Sequence, residues 1–457
     1  MIKRSRVHMV GIGGAGMSAL AAVLLDMGFQ VSGSDLKESH YTRRLQAAGA
    51  VVHIGHRAEN VDGAEMVVYS SAIRESNPEL RRARELGLKT IPRAELLAHL
   101  MAERKGLAVA GTHGKTTTTS MLAKVLCDAG LDPTCVVGGE LNDMGSNART
   151  GRGDYLVAEA DESDGSFLSL KPFGVIVTNV EEDHHDFYDT PERLEGHFRS
   201  FLEGVDEEGV AVLNGDDRRL RRLAAGLPGK VVFYGKDEGN HWRFDRVELK
   251  RGGGCCRVLE GGRELGEIEL RVPGLHNLYN AVAAAAMAAW LGVDFPSIRE
   301  SLRGFSGVHR RFELVGECRG IRLLDDYAHH PTEVLATLEA ARGEGASRVV
   351  CIFQPHRYSR TAALGRELGE ALGLADLVIL TEVYGAGEDP LPGANAKLVL
   401  DALLERHPRC AAVFVPKRVE LGPMALRHLR PGDLVLTMGA GDVTQCSREI
   451  LDALRSV

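Results

Sequence analysis

Short apolar runs alternate with longer amphipathic stretches over the first hundred residues of the chain. Three of these runs, RVHMVGI, FQVSGSD and EMVVYSS, have the length and flanking turn residues that predict strands. The stretches between and after them, including MSALAAVLLDMG and NPELRRARELG, predict helices. Strands that alternate with helices in this way predict an open parallel sheet.

A second sheet is predicted to begin at LAVAG, residues 107–111. Two later runs, YLVAEAD and FGVIVTNV, are almost continuously apolar, as in strands that are buried on both faces. Between residues 230 and 272, strand-like runs are punctuated by glycine and have no helix between them, which indicates a small antiparallel part. The alanine-rich NLYNAVAAAAMAAWLG then predicts a helix.

The last part of the chain repeats the alternation, with strands predicted in IRLLDDY, SRVVCIFQ, DLVILTEVY, AAVFVP and DLVLTMGAG. The pattern therefore predicts an α/β protein with three domains, which we place at residues 1–104, 105–310 and 311–457. The length of 457 residues agrees, because it exceeds what one hydrophobic core usually serves.

Composition narrows the class of protein. Hydrophobic residues make up 44% and charged residues 26% of the chain, which is usual for a soluble globular protein. No stretch approaches the ~18 consecutive apolar residues of a membrane span, and the N-terminal residues lack a signal-peptide pattern. We therefore expect a cytoplasmic protein with no membrane partner. The net charge of −8 argues against a nucleic-acid partner. None of the 8 cysteines forms a C-x-x-C pair, so neither a zinc knuckle nor a disulfide framework is predicted.

A glycine-rich loop follows the first predicted strand in VHMVGIGGAGMSALA. Gly11, Gly13 and Gly16 fit the G-x-G-x-x-G spacing, in which backbone N–H groups at a helix N-terminus bind a pyrophosphate. On its own this motif predicts a dinucleotide site. An NAD-dependent dehydrogenase, with Asp35 as the acidic residue ~20 positions farther on, is therefore one interpretation.

A second loop, GTHGKTT at residues 111–117, follows LAVAG. It ends in the Gly-Lys-Thr of a P-loop, although Val109 stands where the full pattern has its first glycine. Backbone N–H groups, a lysine and a threonine hydroxyl suit phosphates and Mg²⁺. Lys115 at a helix N-terminus opposes the helix dipole unless an anion is near, which favours a phosphate site over a simple capping turn.

Two predicted strands end in clusters of acidic residues. AEADESD contains Glu159, and TNVEEDHHD contains His184 and His185. Ligands of open α/β sheets bind beyond the carboxyl ends of the strands, and carboxylate oxygens suit Mg²⁺. The histidine pair taken alone fits a solvated loop equally well.

Seven blocks in order, GTHGKTTTT, AEADESD, TNVEEDHHD, PGLHNLYNA, HRRFE, DDYAHHPTE and FQPHRYSRT, resemble those of the Mur ligases of peptidoglycan synthesis. The resemblance covers essentially the whole chain. It implies an N-terminal Rossmann-like domain for a UDP-sugar, a central P-loop ATPase domain, and a C-terminal Rossmann-like domain that brings the amino acid. Each glycine-rich loop would then hold the phosphates of a different substrate.

Two blocks, GIGGAGMSALA and DDYAHHPTE, point within that family to the enzyme that joins L-alanine to UDP-N-acetylmuramate. The resemblance implies that ATP activates the lactyl carboxylate as an acyl phosphate, which the amine of L-alanine then attacks. The implied cofactors are ATP and Mg²⁺, with Mn²⁺ also accepted.

The resemblance also implies roles for individual residues. Those expected to be catalytic are Lys115, His184, Asp326 and His329. Those expected to bind ATP are Gly111, Thr112, His113, Gly114, Lys115, Thr116, Thr117, Asn277, Asn280 and Arg311. The expected metal ligands are Thr116, Glu159 and His184. Those expected to bind the UDP-sugar or L-alanine are Gly13, Gly14, Ala15, Asp35, Ser71, Arg357 and Arg360.

The chain departs from the family pattern in two places. No lysine occurs between Lys171 and Lys230, so the carbamylated lysine that several Mur ligases carry after this D-H motif is excluded there. His309 stands where the family pattern generally has glycine. Three alternatives stay open: a recycling ligase that joins UDP-N-acetylmuramate to a whole tripeptide, the dehydrogenase, and a regulatory nucleotide-binding module without catalysis.

Overall fold

The structure, a computed structural model, describes residues 5–143, 145–183 and 187–456. Within these residues the chain forms three sheets, of five, ten and six strands. The sheets use successive parts of the sequence, which confirms the predicted α/β class with three sheets in order. The exact domain boundaries stay predictions. Among the described residues, no helix is both long enough and apolar enough to span a bilayer.

The first sheet is parallel throughout, with strand order β3-β2-β1-β4-β5. Its strands are β1 Arg6–Val10, β2 Gln30–Asp35, β3 Val51–Ile54, β4 Met66–Tyr69 and β5 Lys89–Pro92. Its helices are α1 Ala15–Asp26, α2 His40–Ala47, α3 Pro78–Glu85 and α4 Arg93–Ala102. The apolar run that predicts the first strand is buried from Val7 to Val10, as expected for a central strand.

The second sheet continues the parallel pattern and then turns antiparallel. Its strands are β6 Lys105–Ala110, β7 Thr134–Leu141, β8 Ser146–Arg149, β9 Tyr155–Glu159, β10 Gly174–Val177, β11 Val210–Asn214, β12 Lys230–Gly235, β13 Trp242–Lys250, β14 Gly253–Glu260 and β15 Arg263–Leu270. Its order is β15-β14-β13-β12-β11-β10-β6-β9-β7-β8. The predicted antiparallel part is confirmed, because β13, β14 and β15 pair antiparallel.

Within the described residues, the α-helices of this part are α5 Lys115–Asp128, α6 Pro191–Glu203, α7 Arg218–Ala224, α8 Leu275–Trp290 and α9 Phe295–Arg303. Thr190 caps α6 by accepting a hydrogen bond from the Arg193 N–H, and Pro191 occupies the first turn. The predicted alanine-rich helix is α8, whose run of alanines from Ala283 to Ala286 is buried and allows close packing against α5.

The third sheet has strand order β16-β17-β21-β18-β19-β20, with only the edge strand β16 antiparallel to its neighbour within the described residues. Its strands are β16 Glu313–Cys318, β17 Ile321–Asp326, β18 Arg348–Phe353, β19 Leu377–Leu380, β20 Ala411–Phe414 and β21 Asp433–Met438. Its helices are α10 Pro331–Gly343, α11 Tyr358–Leu372, α12 Ala396–Arg406, α13 Leu421–His428 and α14 Thr444–Ser456.

The hydrophobic cores join the first two sheets and leave the third separate. One cluster runs from Leu20 and Val68 near the first sheet to Val136, Val177 and Phe198 at the second. The third sheet has two clusters of its own, one on each face. The first two parts are therefore fixed together by apolar packing, whereas the third meets the second through the polar contacts described below.

Candidate active site

The first glycine-rich loop lies between β1 and α1 and is closed by contacts with the end of β2. The N–H groups of Gly11 and Ile12 donate to the Ser34 carbonyl oxygen at 2.8 and 3.0 Å. The Gly13 N–H donates to Asp35 Oδ2 at 2.9 Å. Gly11 has φ +83°, which favours glycine, and Gly14 begins α1 without a side-chain cap. The first N–H groups of α1 are thereby left for a ligand.

The second loop lies between β6 and α5 and is tied to the end of β10. Thr112 Oγ1 accepts from the Glu181 N–H at 2.8 Å, and the His113 N–H donates to Asn179 Oδ1 at 2.9 Å. Gly111 has φ +123°, and a Cβ there would lie 2.2 Å from Thr178 Oγ1. Glycine is therefore required at Gly111 both by conformation and by space.

Lys115 crosses back over this second loop. Its Nζ donates to the carbonyl oxygens of Gly111 and Thr112 at 2.6 and 3.1 Å and to Glu162 Oε1 at 2.9 Å. Burial lowers the pKa of Lys115, but the charges of Glu162 and Asp161 raise it above its usual value, so the amine is a cation. In this structure the Glu162 carboxylate balances the positive charge of Lys115 at the N-terminus of α5. The sequence predicts a phosphate as the balancing anion and does not predict this carboxylate.

Glu159 and Thr116 lie together at the same edge of the second sheet. The Gly138 N–H donates to Glu159 Oε1 at 2.7 Å. Burial raises the pKa of Glu159, although that hydrogen bond, Lys115 and Thr116 all favour its ionised form. The surroundings of Glu159 therefore do not fully compensate its negative charge. A carboxylate in such surroundings, together with the Thr116 hydroxyl, is a suitable pair of ligands for a hard divalent cation.

One cavity of about 440 Å³ lies between the second loop and α8, and we call it the asparagine cavity. The predicted site residues that line it are His113, Gly114, Thr116, Thr117, Asn277, Asn280, Arg311 and Asp326. Asn277 Nδ2 donates to the Pro273 carbonyl oxygen at 2.7 Å, and a Cβ on Gly114 would lie 2.7 Å from Asn280 Oδ1. Asn280 is therefore at the loop end of this cavity, and the predicted contact with an adenine edge stays a prediction.

A second cavity of about 440 Å³ is lined by all three parts of the chain, and we call it the central cavity. The predicted site residues that line it are Gly14, Ala15, Ser71, Thr112, His113, Gly114, Lys115, Thr116, Glu159, Arg311, His329, Arg357 and Arg360. Three predicted site residues, Gly13, Asp35 and Gly111, are not among the described residues that line either cavity. Their contacts shape the two loops instead. His184 and His185 lie outside the described residues.

The C-terminal part contributes both charged and neutral groups to the central cavity. Burial lowers the pKa of His329 to about 4, so its imidazole is neutral near pH 7. Arg360 donates from Nε and Nη2 to Asp183 at 3.0–3.1 Å, and both side chains are buried. Arg360 is predicted to bind substrate, and in this structure its guanidinium bridges α11 to the loop after β10.

Two further acidic groups of the C-terminal part, Asp326 and Glu333, line the asparagine cavity beside the second loop. Asp326 accepts from the N–H groups of Phe312 and Ala328 at 2.7 Å each, and burial raises its pKa to about 6. Glu333 lies 3.2 Å from His113 Nδ1 and 3.7 Å from Arg311 Nη1. The β17–α10 connection therefore closes over the loop that carries Lys115.

The sequence analysis assigned no role to several polar residues of the central cavity, among them Asp183, Glu333, His356 and Arg93. Asp183, Glu333 and His356 lie within the blocks TNVEEDHHD, DDYAHHPTE and FQPHRYSRT, but no role was assigned to them. Their positions in these blocks could have marked them as site residues. Arg93 begins α4, lies beside Gly16 and is 3.5 Å from Asp161 Oδ2. Nothing in IPRAELLAHL distinguishes Arg93 from an ordinary surface arginine.

His309 has a structural explanation. Its Nδ1 lies 2.6 Å from Glu313 Oε2, and its N–H donates to the Glu140 carbonyl oxygen at 3.0 Å. The hydrogen bond to Glu313 raises the pKa of His309. The imidazole therefore ties this segment to the start of β16, and the backbone N–H of His309 ties it to β7.

Family models match three successive parts of the chain: Mur ligase family, catalytic domain, over residues 6–105; Mur ligase middle domain, over 109–288; and Mur ligase, glutamate ligase domain, over 310–441. The chain belongs to the Mur ligase family. The three matched domains follow one another along the chain in the order that the sequence resemblance predicts.

Named relatives of this Mur ligase match it along its whole length. A UDP-N-acetylmuramate–L-alanine ligase of Rubrobacter xylanophilus is 51% identical over 98% of this chain and 100% of its own length. One of Pelotomaculum thermopropionicum is 48% identical over 100% of this chain and 99% of its own. The crystal structure of UDP-N-acetylmuramate-alanine ligase MurC from Thermotoga maritima superposes with TM-score 0.86 at 31% identity and covers 99% of both chains.

Proposed function

We propose that this Mur ligase joins L-alanine to the lactyl carboxylate of UDP-N-acetylmuramate in a reaction driven by ATP, giving UDP-N-acetylmuramoyl-L-alanine, ADP and phosphate for peptidoglycan synthesis. The observation that carries the proposal is that one phosphate-type loop lines two cavities. His113, Gly114 and Thr116 face both the asparagine cavity and the central cavity. A nucleotide in the first cavity would thus present its terminal phosphate to an acceptor in the second.

The acceptor end of the central cavity suits a sugar diphosphate. Gly14 and Ala15 place the uncapped N-terminus of α1 there, and Ser71 lines the same cavity. Backbone N–H groups and the positive end of the helix dipole bind a pyrophosphate without any lysine. We assign Gly13 and Asp35 to the shape of this loop, with Asp35 additionally near the uridine.

The chemistry brings two anions together and needs positive charge. The lactyl carboxylate oxygen attacks the γ-phosphorus in line, and ADP leaves with the electrons of the broken bond. Lys115 and Arg311 offset the combined negative charge of phosphate and carboxylate. The amine of L-alanine then attacks the acyl carbonyl, and inorganic phosphate leaves.

Mg²⁺ would be held by Thr116 and Glu159, with His184 as a predicted third ligand outside the described residues. When bound, the ion would neutralise phosphate charge. We propose that the Asn277 and Asn280 amides bind the nucleotide and that Arg357, Arg360 and neutral His329 receive L-alanine. Asp326, whose contacts hold the chain from Phe312 to Ala328, positions Arg311.

A phosphate-release assay tests the proposal directly. Phosphate and UDP-N-acetylmuramoyl-L-alanine, identified by mass, should form only when ATP, Mg²⁺, UDP-N-acetylmuramate and L-alanine are all present. Product with the tripeptide and none with L-alanine would identify a recycling ligase instead. Tight NADH binding that UDP displaces would favour the dehydrogenase, and no turnover with any substrate would favour a regulatory module.

A further inference from the structure

A cluster of nitrogen and oxygen ligands lies where the second loop meets the C-terminal part. It comprises His113 of the loop, Glu181 after β10 and His330 at the start of α10. One ligand atom from each lies within 4.8 Å of the other two. The residues expected to hold Mg²⁺, Thr116 and Glu159, belong to a different set.

His113 is oriented for metal binding by a carboxylate on its far nitrogen. Glu333 Oε1 lies 3.2 Å from Nδ1, which fixes the orientation of the ring. Nε2 is buried, lies 3.6 Å from Glu181 Oε2, and has no hydrogen-bond partner among the described residues. A carboxylate that holds one imidazole nitrogen while the other faces an ion is the usual outer shell of a protein metal site.

The other two members are also held in place, Glu181 by a short hydrogen bond and His330 by longer contacts. Glu181 Oε2 accepts from Thr332 Oγ1 at 2.6 Å. His330 caps α10, with Nδ1 3.4 Å from the Thr332 nitrogen and Nε2 3.4 Å from the Glu182 carbonyl oxygen. The His113 and His330 rings have centroids 4.5 Å apart. The two His330 hydrogen bonds are long and therefore weak, so they oppose a turn of its ring less than short ones would.

We propose that His113, Glu181 and His330 bind one transition-metal dication of the Zn²⁺ class, and that this ion ties the C-terminal part to the ATP-binding part. Two imidazoles and one carboxylate are a donor set that Zn²⁺ prefers, whereas Mg²⁺ prefers oxygen ligands. Zinc–ligand distances of about 2.0–2.2 Å require the three ligand atoms to approach one another by up to about 1.4 Å. A water completes the coordination.

The proposal goes beyond the ligase activity and is tested without turnover. Metal-free full-length protein is titrated with Zn²⁺ by calorimetry, and with Co²⁺ to record the visible absorption of tetrahedral coordination, in excess Mg²⁺ and without nucleotide. We expect one equivalent to bind and Mg²⁺ not to displace it. Absence of binding, or displacement by Mg²⁺, would overturn the proposal.

Variants assign the ligands. His330→Asn keeps a good helix cap and removes the imidazole, and should weaken Zn²⁺ binding at least about tenfold. His113→Gln should do the same. The matched control His197→Gln, a histidine of α6 outside the cluster, and Glu159→Gln should leave Zn²⁺ binding unchanged. Binding lost in Glu159→Gln but kept in His330→Asn would show that Zn²⁺ occupies the predicted Mg²⁺ site instead.

The bridging part of the proposal has its own measurement. Zn²⁺ should slow hydrogen exchange of the amides at the start of α10 in the parent protein and not in His330→Asn. Unchanged exchange in the parent despite stoichiometric binding would refute the bridge. Thermal unfolding without metal, compared between variants, identifies any that fail to fold, and His113→Gln then provides the independent test.

Discussion

The two glycine-rich loops share one backbone plan and differ in how their charge is balanced. Both connect a buried parallel strand to a helix through glycines with positive φ, Gly11 in the first and Gly111 and Gly114 in the second. The first loop receives a carboxylate, Asp35, on its Gly13 N–H. The second carries Lys115, which is held by Glu162. The two loops therefore share a backbone shape that the glycine spacing specifies, and we propose that side chains distant in sequence decide which phosphate each loop holds.

The loops also differ in what surrounds them. The first is fixed to the second sheet by a shared hydrophobic core, and Asn147 of β8 donates to the Ala15 carbonyl oxygen at 2.7 Å. The second is completed by polar contacts from the third part, such as His113 with Glu333 and Asp183 with Arg360. We propose that the first loop, as the sugar-nucleotide end, is preformed, whereas the second loop, as the ATP end, is assembled with polar contacts from the C-terminal part.

The largest effect is expected from removing the charge of the second loop. Lys115→Met should reduce kcat by about 10³-fold or more, because phosphoryl transfer depends on cationic groups at the γ-phosphate. Binding of UDP-N-acetylmuramate, measured by calorimetry, should change by less than about threefold, since the first loop is separate. Comparable loss of sugar binding would contradict the independence of the loops.

Its control separates catalysis from folding. Lys115→Met removes one partner of the ion pair with Glu162, which is 1% exposed, and removing one partner of a buried pair costs about 3–5 kcal/mol of unfolding free energy. Lys115→Met/Glu162→Gln should recover most of that stability and none of the activity. Recovery of activity would mean that the single variant failed only because it was unstable.

Much of the fold could be predicted because its signals are local. Buried parallel strands are continuous apolar runs, and Thr190-Pro191 marks the start of α6 within two residues. The loops and the acidic strand ends could be found for the same reason. The partners of those groups could not: Arg360 and Asp183 are 177 residues apart, and Lys115 and Glu162 are 47 apart. Such pairs depend on how sheets pack, which no local pattern of hydrophobicity records.

The next effect tests the carboxylate of the first loop. Asp35→Ala removes a charge-assisted hydrogen bond to the Gly13 N–H, worth about 1.5–3 kcal/mol. The dissociation constant for UDP-N-acetylmuramate should therefore rise by about 10- to 100-fold, while KM for ATP stays constant. Asp35→Asn, which retains an acceptor oxygen, should lose less. Equal losses in both variants would indicate that the charge, rather than the hydrogen bond, acts on the ligand.

Charge balance near the second loop also predicts a pH dependence of stability. Burial raises the pKa of Asp326 from 3.8 to about 6, so the folded state binds this proton more tightly than the unfolded state. The native state therefore loses stability as pH rises from about 4 through 6, by about 2–3 kcal/mol in total. Asp326→Asn should remove that loss. In urea unfolding, the free energy of unfolding of the variant relative to that of the parent should increase between about pH 4 and pH 8. The same difference in unfolding free energy at both pH values would contradict the raised pKa.

The smallest expected effect probes how the first loop is anchored. Asn147 is 4% exposed and donates to the Ala15 carbonyl oxygen and to Ser18 Oγ at 2.7 and 2.9 Å, so it fastens the first turn of α1 to β8. Asn147→Ala should lower the free energy of unfolding by about 1–2 kcal/mol, because buried acceptors lose their donor. UDP-N-acetylmuramate binding should weaken by less than about tenfold, with KM for ATP unchanged. The matched variant Asn142→Ala, which removes an exposed hydrogen bond of 3.3 Å to the Ser306 carbonyl oxygen, should alter neither quantity. If Asn147→Ala raises KM for ATP as much as it weakens sugar binding, the anchoring of the first loop is transmitted to the second, and the contrast between a preformed and an assembled end fails.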